Sequence, residues 1–170
     1  MPNWAIHLIV PLLAMLIVSR KEDYKYILLL LPLAILPDLD TFATQHRALL
    51  HNIFIPVILL FMASVVKKAR MIFIISAVYI GSHVLLDMFG GGVVLFYPVY
   101  NSIAFVDASL RISQTNELSW TMNYGFSDYS EAWKTAYGYI SDSIGIGSML
   151  FVFLAGVCAA YQNKEARERK

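Results

Sequence analysis

The sequence predicts an all-α integral membrane protein, a five-helix transmembrane bundle with an extracytoplasmic β-hairpin and short helix between spans four and five. Three observations carry that expectation. The chain is 58% hydrophobic and 15% charged, against about 25% charged in a typical soluble domain. Its apolar residues fall in blocks rather than being dispersed. Its basic residues collect between alternate blocks. At 170 residues the chain is long enough for one domain, so 1–170 is read as a single transmembrane domain.

Span one is Trp4–Val18. No basic segment precedes it and no small-x-small cleavage site follows, so it reads as a retained helix rather than a signal peptide. Span two is Tyr24–Leu36, closed by Leu36-Pro37. A proline disfavours helical backbone at the residue before it, which places Asp38-Leu39-Asp40 in a turn. Spans three (Leu49–Val66), four (Met71–Phe89) and five (Ile144–Tyr161) have 18, 19 and 18 residues, close to the ~20 that cross a bilayer. Gly90-Gly91-Gly92 stops span four. Pro11, Pro32 and Pro56 each remove a helical hydrogen bond, which membrane helices tolerate.

Residues 93–143 form the one long insertion. Within it, Ala104, Val106, Ala108, Leu110 and Ile112 alternate with other residues, as do Leu118, Trp120, Met122, Tyr124 and Phe126. Period-2 alternation is a strand signal, and Ser113-Gln114-Thr115-Asn116 between the runs reads as a turn. The expectation is a β-hairpin with one apolar face. Asp128 with Glu131 resembles a capping box, predicting a short helix over about 129–141.

Arg20, Lys21 and Lys25 follow span one, Lys67, Lys68 and Arg70 separate spans three and four, and Lys164, Arg167, Arg169 and Lys170 follow span five. Those ten of the 13 basic residues share one side if the N-terminus lies outside and the C-terminus in the cytoplasm, as the positive-inside rule favours. The expected location is the cytoplasmic (inner) membrane. The net charge of +1 gives no reason to expect a nucleic-acid partner. The single Cys158 excludes an internal disulfide and a cysteine-based metal site.

The four histidines, His7, His46, His51 and His83, all lie in or beside spans. Ionisable groups at membrane depth are costly and mark functional sites. At 1.5 Å per helical residue, His7, Asp38, His51 and His83 stand roughly 17–23 Å above the cytoplasmic ends of their spans, and Asp87 roughly 26 Å. Four spans thus bring polar groups to one layer in the outer half of the membrane. His83 and Asp87 are i,i+4 and share a helical face. His46 and His51 are i,i+5, about 140° apart on an ideal helix, and converge only if the helix starts between them. Imidazole and carboxylate without thiolate suit zinc, manganese or iron. Taken singly, each group has a structural reading: His7 as an interhelical hydrogen-bonding residue, Asp38 and Asp40 as caps, Arg47 as an interfacial anchor.

The order His7, "LPDLD" (36–40), "HRALLHN" (46–52) and "GSHVLLDMFGGGVVLFYP" (81–98) resembles the YdjM-like family of inner-membrane proteins, described as membrane-bound metal-dependent hydrolases. The likeness covers roughly residues 1–100. It implies His7, Asp38, Asp40, His46, His51, His83 and Asp87 as metal ligands. Asn52 stands where that family usually has serine, Leu50 where threonine is common, and Thr41 where histidine often supplies a further ligand.

The expected activity is hydrolysis of a lipid or lipid-linked substrate, with a phosphoester as a candidate bond, from the outer leaflet. One or two divalent ions, zinc first, would activate water. Asp40 would act as general base, Arg47 would hold an anionic group, and the aromatic hairpin would lie at the interface. A metal transporter or metal sensor is the rival reading. It needs a polar route to the cytoplasm, where the spans offer little beyond Ser64 and Ser76.

Overall fold

The structure is a computed structural model that describes residues 4–42, 47–112, 118–129 and 150. Helix α1 (Trp4–Val18) coincides with span one. The next helix, α2 (Tyr24–Leu30), is only seven residues long and passes into a 3-10 segment over Leu31–Phe42. Helix α3 covers Phe54–Val65, and α4 covers Arg70–Phe89. Strands β1 (Ser102–Ile112) and β2 (Leu118–Asp128) pair antiparallel.

The expected five-helix all-α transmembrane bundle is corrected on this evidence of architecture. Residues 4–89 hold four α-helices, a two-stranded sheet follows, and one described helical stretch, Lys67–Phe89, is long and apolar enough to cross a membrane. Span two fails as an α-helix because of its prolines. Pro32 has no N–H to donate and its ring crowds the carbonyl four residues back, so the chain tightens into i→i+3 bonding. The 3-10 segment continues through Pro37, so Asp38 and Asp40 sit on it rather than in a turn. Span three loses its first turn. Arg47 adopts φ 61°, and the Asn52 side chain accepts from the backbone N–H of Phe54 (3.0 Å) and Ile55 (3.2 Å), starting α3 at Phe54. Span five and the short helix over about 129–141 fall, but for Tyr129 and Leu150, outside the described residues.

The core is set where α1, α2 and α4 meet. Leu12, Met15, Ile27, Ala34, Ile75 and Tyr79 pack together. The Tyr79 hydroxyl donates to Ile27 O at 2.7 Å and the Tyr24 hydroxyl to Leu16 O at 2.9 Å, so both phenols satisfy their polar tips inside apolar surroundings. On α4, Ile75, Tyr79, His83 and Asp87 are all buried. Their four-residue spacing makes one stripe, apolar toward the start of the helix and polar toward its end.

That end is tied to the hairpin. The chain leaves α4 through Gly91 (φ 116°) and Gly92 (φ 95°), a backbone region open to glycine without steric cost. A Cβ on Gly92 would collide with the Ile103 side chain and the Ala104 carbonyl. Val93 and Ala104 exchange backbone hydrogen bonds of 3.0 and 2.8 Å. The strand register pairs Leu110 with Trp120, Ala108 with Met122, Val106 with Tyr124 and Ala104 with Phe126, so the two alternating apolar runs share one face, as the sequence predicts.

Candidate metal centre

Two segments deliver side chains to the polar end of α4. The 3-10 segment brings Asp38 and Asp40, and the loop before α3 brings His51. The result is a group of four, Asp38, His51, His83 and Asp87, each offering one ligand atom within 4.8 Å of the others. His51, His83 and Asp87 are buried, and Asp38 is 13% exposed.

Hydrogen bonds on the far side of each imidazole fix its orientation. His83 Nδ1 lies 2.6 Å from Ala34 O. A carbonyl only accepts, so Nδ1 carries the proton and the neutral ring turns its Nε2 lone pair inward. His51 Nδ1 lies 2.8 Å from Asp40 Oδ2, and the same argument turns His51 Nε2 inward. The two Nε2 atoms are 3.2 Å apart. Around them, His51 Nε2 is 3.0 Å from Asp87 Oδ2 and 3.6 Å from Asp38 Oδ1. His83 Nε2 is 3.4 Å from Asp38 Oδ1 and 3.6 Å from Asp87 Oδ2.

Four acceptor atoms facing one another at those distances repel unless positive charge sits among them. Part of that demand is visible in the titration of the two groups outside the α-helices. Burial opposes charge on His51, but the Asp38, Asp40 and Asp87 carboxylates outweigh it and hold the imidazole up, at about 10. Burial likewise opposes charge on Asp38, yet hydrogen bonding with His51 and His83 holds its carboxyl well below the usual range.

A divalent cation meets the same demand with better geometry. Bonds of ~2.0–2.1 Å in a tetrahedral site put ligand atoms about 3.4 Å apart. Five of the six spacings among the four atoms, 3.0 to 3.6 Å, scatter around that edge length, and all four lie within 4.8 Å of one another. Two neutral imidazoles and two carboxylates also balance a divalent charge, and the nitrogen and oxygen donor set suits zinc, manganese or iron. The residues present therefore fit a divalent metal ion.

The other sequence candidates take different places. Asp40 is 1% exposed. Its Oδ2 engages His51 Nδ1 and accepts from Leu50 N at 3.4 Å, which orients the His51 ring. Arg47 is buried and donates to Gly92 O at 3.1 Å and Gly90 O at 3.4 Å, while its own carbonyl accepts from Val94 N at 2.9 Å. It fastens the His51 loop to the end of α4. His7, from α1, stacks on His83 with centroids 3.9 Å apart and 19° between planes, and its Nε2 is 3.2 Å from Asp87 Oδ1. His46 lies outside the described residues. Sequence reasoning missed Ala34, whose contribution is a carbonyl and leaves no side-chain signal. It also passed over Asn52 as a cap, although an asparagine just before an apolar run is a readable one.

No family model, curated protein or solved structure matches this chain. The likeness to the YdjM-like family rests on the motifs alone.

Proposed function

We propose that this protein is a membrane-bound metal-dependent hydrolase acting on a lipid or lipid-linked substrate. The observation that carries the reading is the inward convergence of His51 and His83 Nε2 with Asp38 and Asp87 at spacings a divalent ion would bridge. A divalent ion held there would polarise the scissile bond and lower the pKa of a water.

The chain's own residues supply the rest. Asp40 and the Ala34 carbonyl hold the two imidazoles in the tautomer that leaves Nε2 free to bind. Asp87 neutralises charge from a fully buried position. Asp38, the one member of the group that is not fully buried, marks the side from which water and substrate would reach it. The sequence reading of Asp40 as general base gives way to a positioning role, since its carboxylate is buried against His51 and the Leu50 amide.

A lipid substrate is supported by exposed apolar surface on the helices. Ile17 and Val18 are 83% and 86% exposed, Leu29 74% and Phe61 65%. Large apolar side chains exposed to that degree fit a partner or membrane surface. His7 near the start of α1 meets Asp87 near the end of α4, so these helices run antiparallel. Arg20 and Lys21 then share the end of the molecule that carries Lys67, Lys68 and Arg70, and the metal centre lies at the opposite end. The positive-inside rule favours an extracytoplasmic centre. The apolar cluster of Leu12, Met15, Ile27, Ile75 and Tyr79 lies on the basic side of the centre, which disfavours a transporter's polar path.

The test is to purify the full chain in detergent, measure its metal content, and screen lipid and phospholipid hydrolysis with His83→Ala and Asp38→Ala. Metal and activity should fall together in both variants. Undiminished metal binding in both would overturn the site.

A further inference from the structure

We infer that the protein carries a separate binding site for the phosphate of an anionic phospholipid, in a cavity between α3 and α4 at the basic end of the molecule. The site rests on the membrane reading above and does not depend on the metal centre. Arg70 and His83 are roughly 20 Å apart along α4 at 1.5 Å per residue.

The cavity has a volume of about 240 Å³ and is lined by Leu60, Ala63, Ser64, Lys67, Arg70 and Ile74. Its origin is local. Helix α3 ends at Val65, a 3-10 turn covers Lys67–Ala69, and α4 begins at Arg70. Leu60, Ala63 and Ser64 are three and four apart and share one face of α3. Two of the three are small, which leaves space against Ile74. The Ser64 hydroxyl donates to Phe61 O at 2.6 Å, so it supplies a short side chain rather than a free donor. Residues i and i+3 eclipse in 3-10 geometry, which puts the Lys67 and Arg70 side chains on one side of the turn.

Among the described residues, neither cation has an acidic partner. Glu22 and Asp23 lie at the same end, on the turn before α2, and pair with neither. The first turn of α4 holds no acid, and its N-cap Ala69 makes no side-chain hydrogen bond. The aligned peptide dipoles give a helix start roughly half a positive charge, where carboxylates stabilise and cations do not. Lys67 and Arg70 therefore add like charge to the rim of one cavity, and an anion between them offsets all of it. Arg70 offers a planar fork for two phosphate oxygens, and Lys67 a compact point charge.

The other wall selects the kind of anion. Leu60, Ala63 and Ile74 are apolar, and exposed Val57, Phe61 and Val78 continue that surface along both helices. A free phosphate gains nothing from such a wall. A phospholipid sets its phosphate at the level of Lys67 and Arg70 and lays its acyl chains beside Leu60 and Ile74. The volume agrees, being below the ~300–1,000 Å³ that encloses a whole small molecule and sufficient for a headgroup whose chains lie outside. Basic pockets between membrane helices on the cytoplasmic side take anionic headgroups in this way, and the positive-inside rule assigns this end to that side.

The test uses the full chain purified in mild detergent, with native mass spectrometry counting retained lipid. Phosphatidylglycerol is the probe, phosphatidylcholine the zwitterionic control and inorganic phosphate the chain-free anion. The double variant Lys67→Gln, Arg70→Gln should hold phosphatidylglycerol roughly tenfold or more weakly than wild type. Lys68→Gln makes the same charge change outside the cavity lining and should leave retention unchanged. Wild type should prefer phosphatidylglycerol to phosphatidylcholine, and inorganic phosphate should not displace it. Equal retention in wild type and the double variant overturns the site, as does equal retention of the two lipids. A matching loss in Lys68→Gln means general surface charge and overturns it too. Displacement by inorganic phosphate overturns the lipid in favour of a free anion. Metal content, measured on the same samples, should be equal in all three proteins, so a failed lipid result with metal retained leaves the metal centre standing. A chain that stays in solution without detergent overturns the membrane reading and this site with it.

Discussion

The end of α4 and the β1–β2 hairpin are joined through Gly92 and Val93, yet they handle polarity in opposite ways. Around His83 and Asp87, ionisable side chains are buried, and Ala34 and Asp40 hold the His83 and His51 rings from behind. On the hairpin, Trp120, Met122, Tyr124 and Phe126 are large, apolar and exposed. The first region bears the cost of desolvation, which is sustained only where a ligand or partner offsets it. The second leaves apolar area in contact with solvent, which is sustained only where some other surface covers it. The contrast puts the buried ionisable groups and the exposed apolar face on different elements, so each can be perturbed without the other.

The strongest way to break that separation is to truncate one side chain in each region. His83→Ala should weaken metal binding by more than the roughly 10–100-fold that losing an outer hydrogen-bond partner costs, whereas Trp120→Ser should leave metal affinity unchanged. Isothermal titration of the chelator-stripped protein measures both, and a matched loss in the two variants would merge the regions again. Asp40→Asn comes next. It keeps a group beside His51 but removes the charge, and should cost roughly 10–100-fold in affinity without abolishing binding.

Acidity probes the buried region alone. His51 holds its proton up to about 10, so a cation arriving at neutral pH must displace it. Affinity should rise with pH by roughly tenfold per unit for one displaced proton, and a pH-independent affinity between 6 and 8 would contradict this sign. The smallest effect belongs to the loop that carries His51. Asn52→Ala removes the cap on α3 and should cost about 1 kcal/mol of stability, read as a lowered Tm with metal stoichiometry unchanged.

Helix α1 was legible to its end residues and α4 to within one at its start, because long, largely apolar runs closed by polar or glycine residues leave little choice of boundary. The hairpin was legible down to its shared apolar face, because alternation has only one solution once the turn is placed. The 3-10 segment was not legible. Pro32 and Pro37 signal a break in α-helix, but nothing local says that the chain stays helical in a tighter form rather than turning. The loop at 47–53 was hidden by Leu49, Leu50 and Ile53, which read as part of an apolar span.

The candidate site was legible as a layer and not as a network. Counting residues along the spans put His7, Asp38, His51, His83 and Asp87 at one depth, and the structure brings the last four of these together. The i,i+4 spacing of His83 and Asp87 predicted their shared face. The partition of roles was beyond reach, because Asp38 and Asp40 differ only by which face of the 3-10 segment each occupies. Arg47 carried the same limit: its charge suggested an anion, while its backbone at φ 61° and the carbonyls of Gly90 and Gly92 make it a fastener.

The central claim is that His51 and His83 bind one divalent cation through Nε2. X-ray absorption of the zinc-loaded protein in detergent tests it most directly. The account predicts nitrogen and oxygen neighbours at ~2.0–2.1 Å, no sulfur, and outer-shell scattering from imidazole that falls in His83→Ala. A spectrum lacking imidazole scattering, or one identical in His83→Ala, would contradict it.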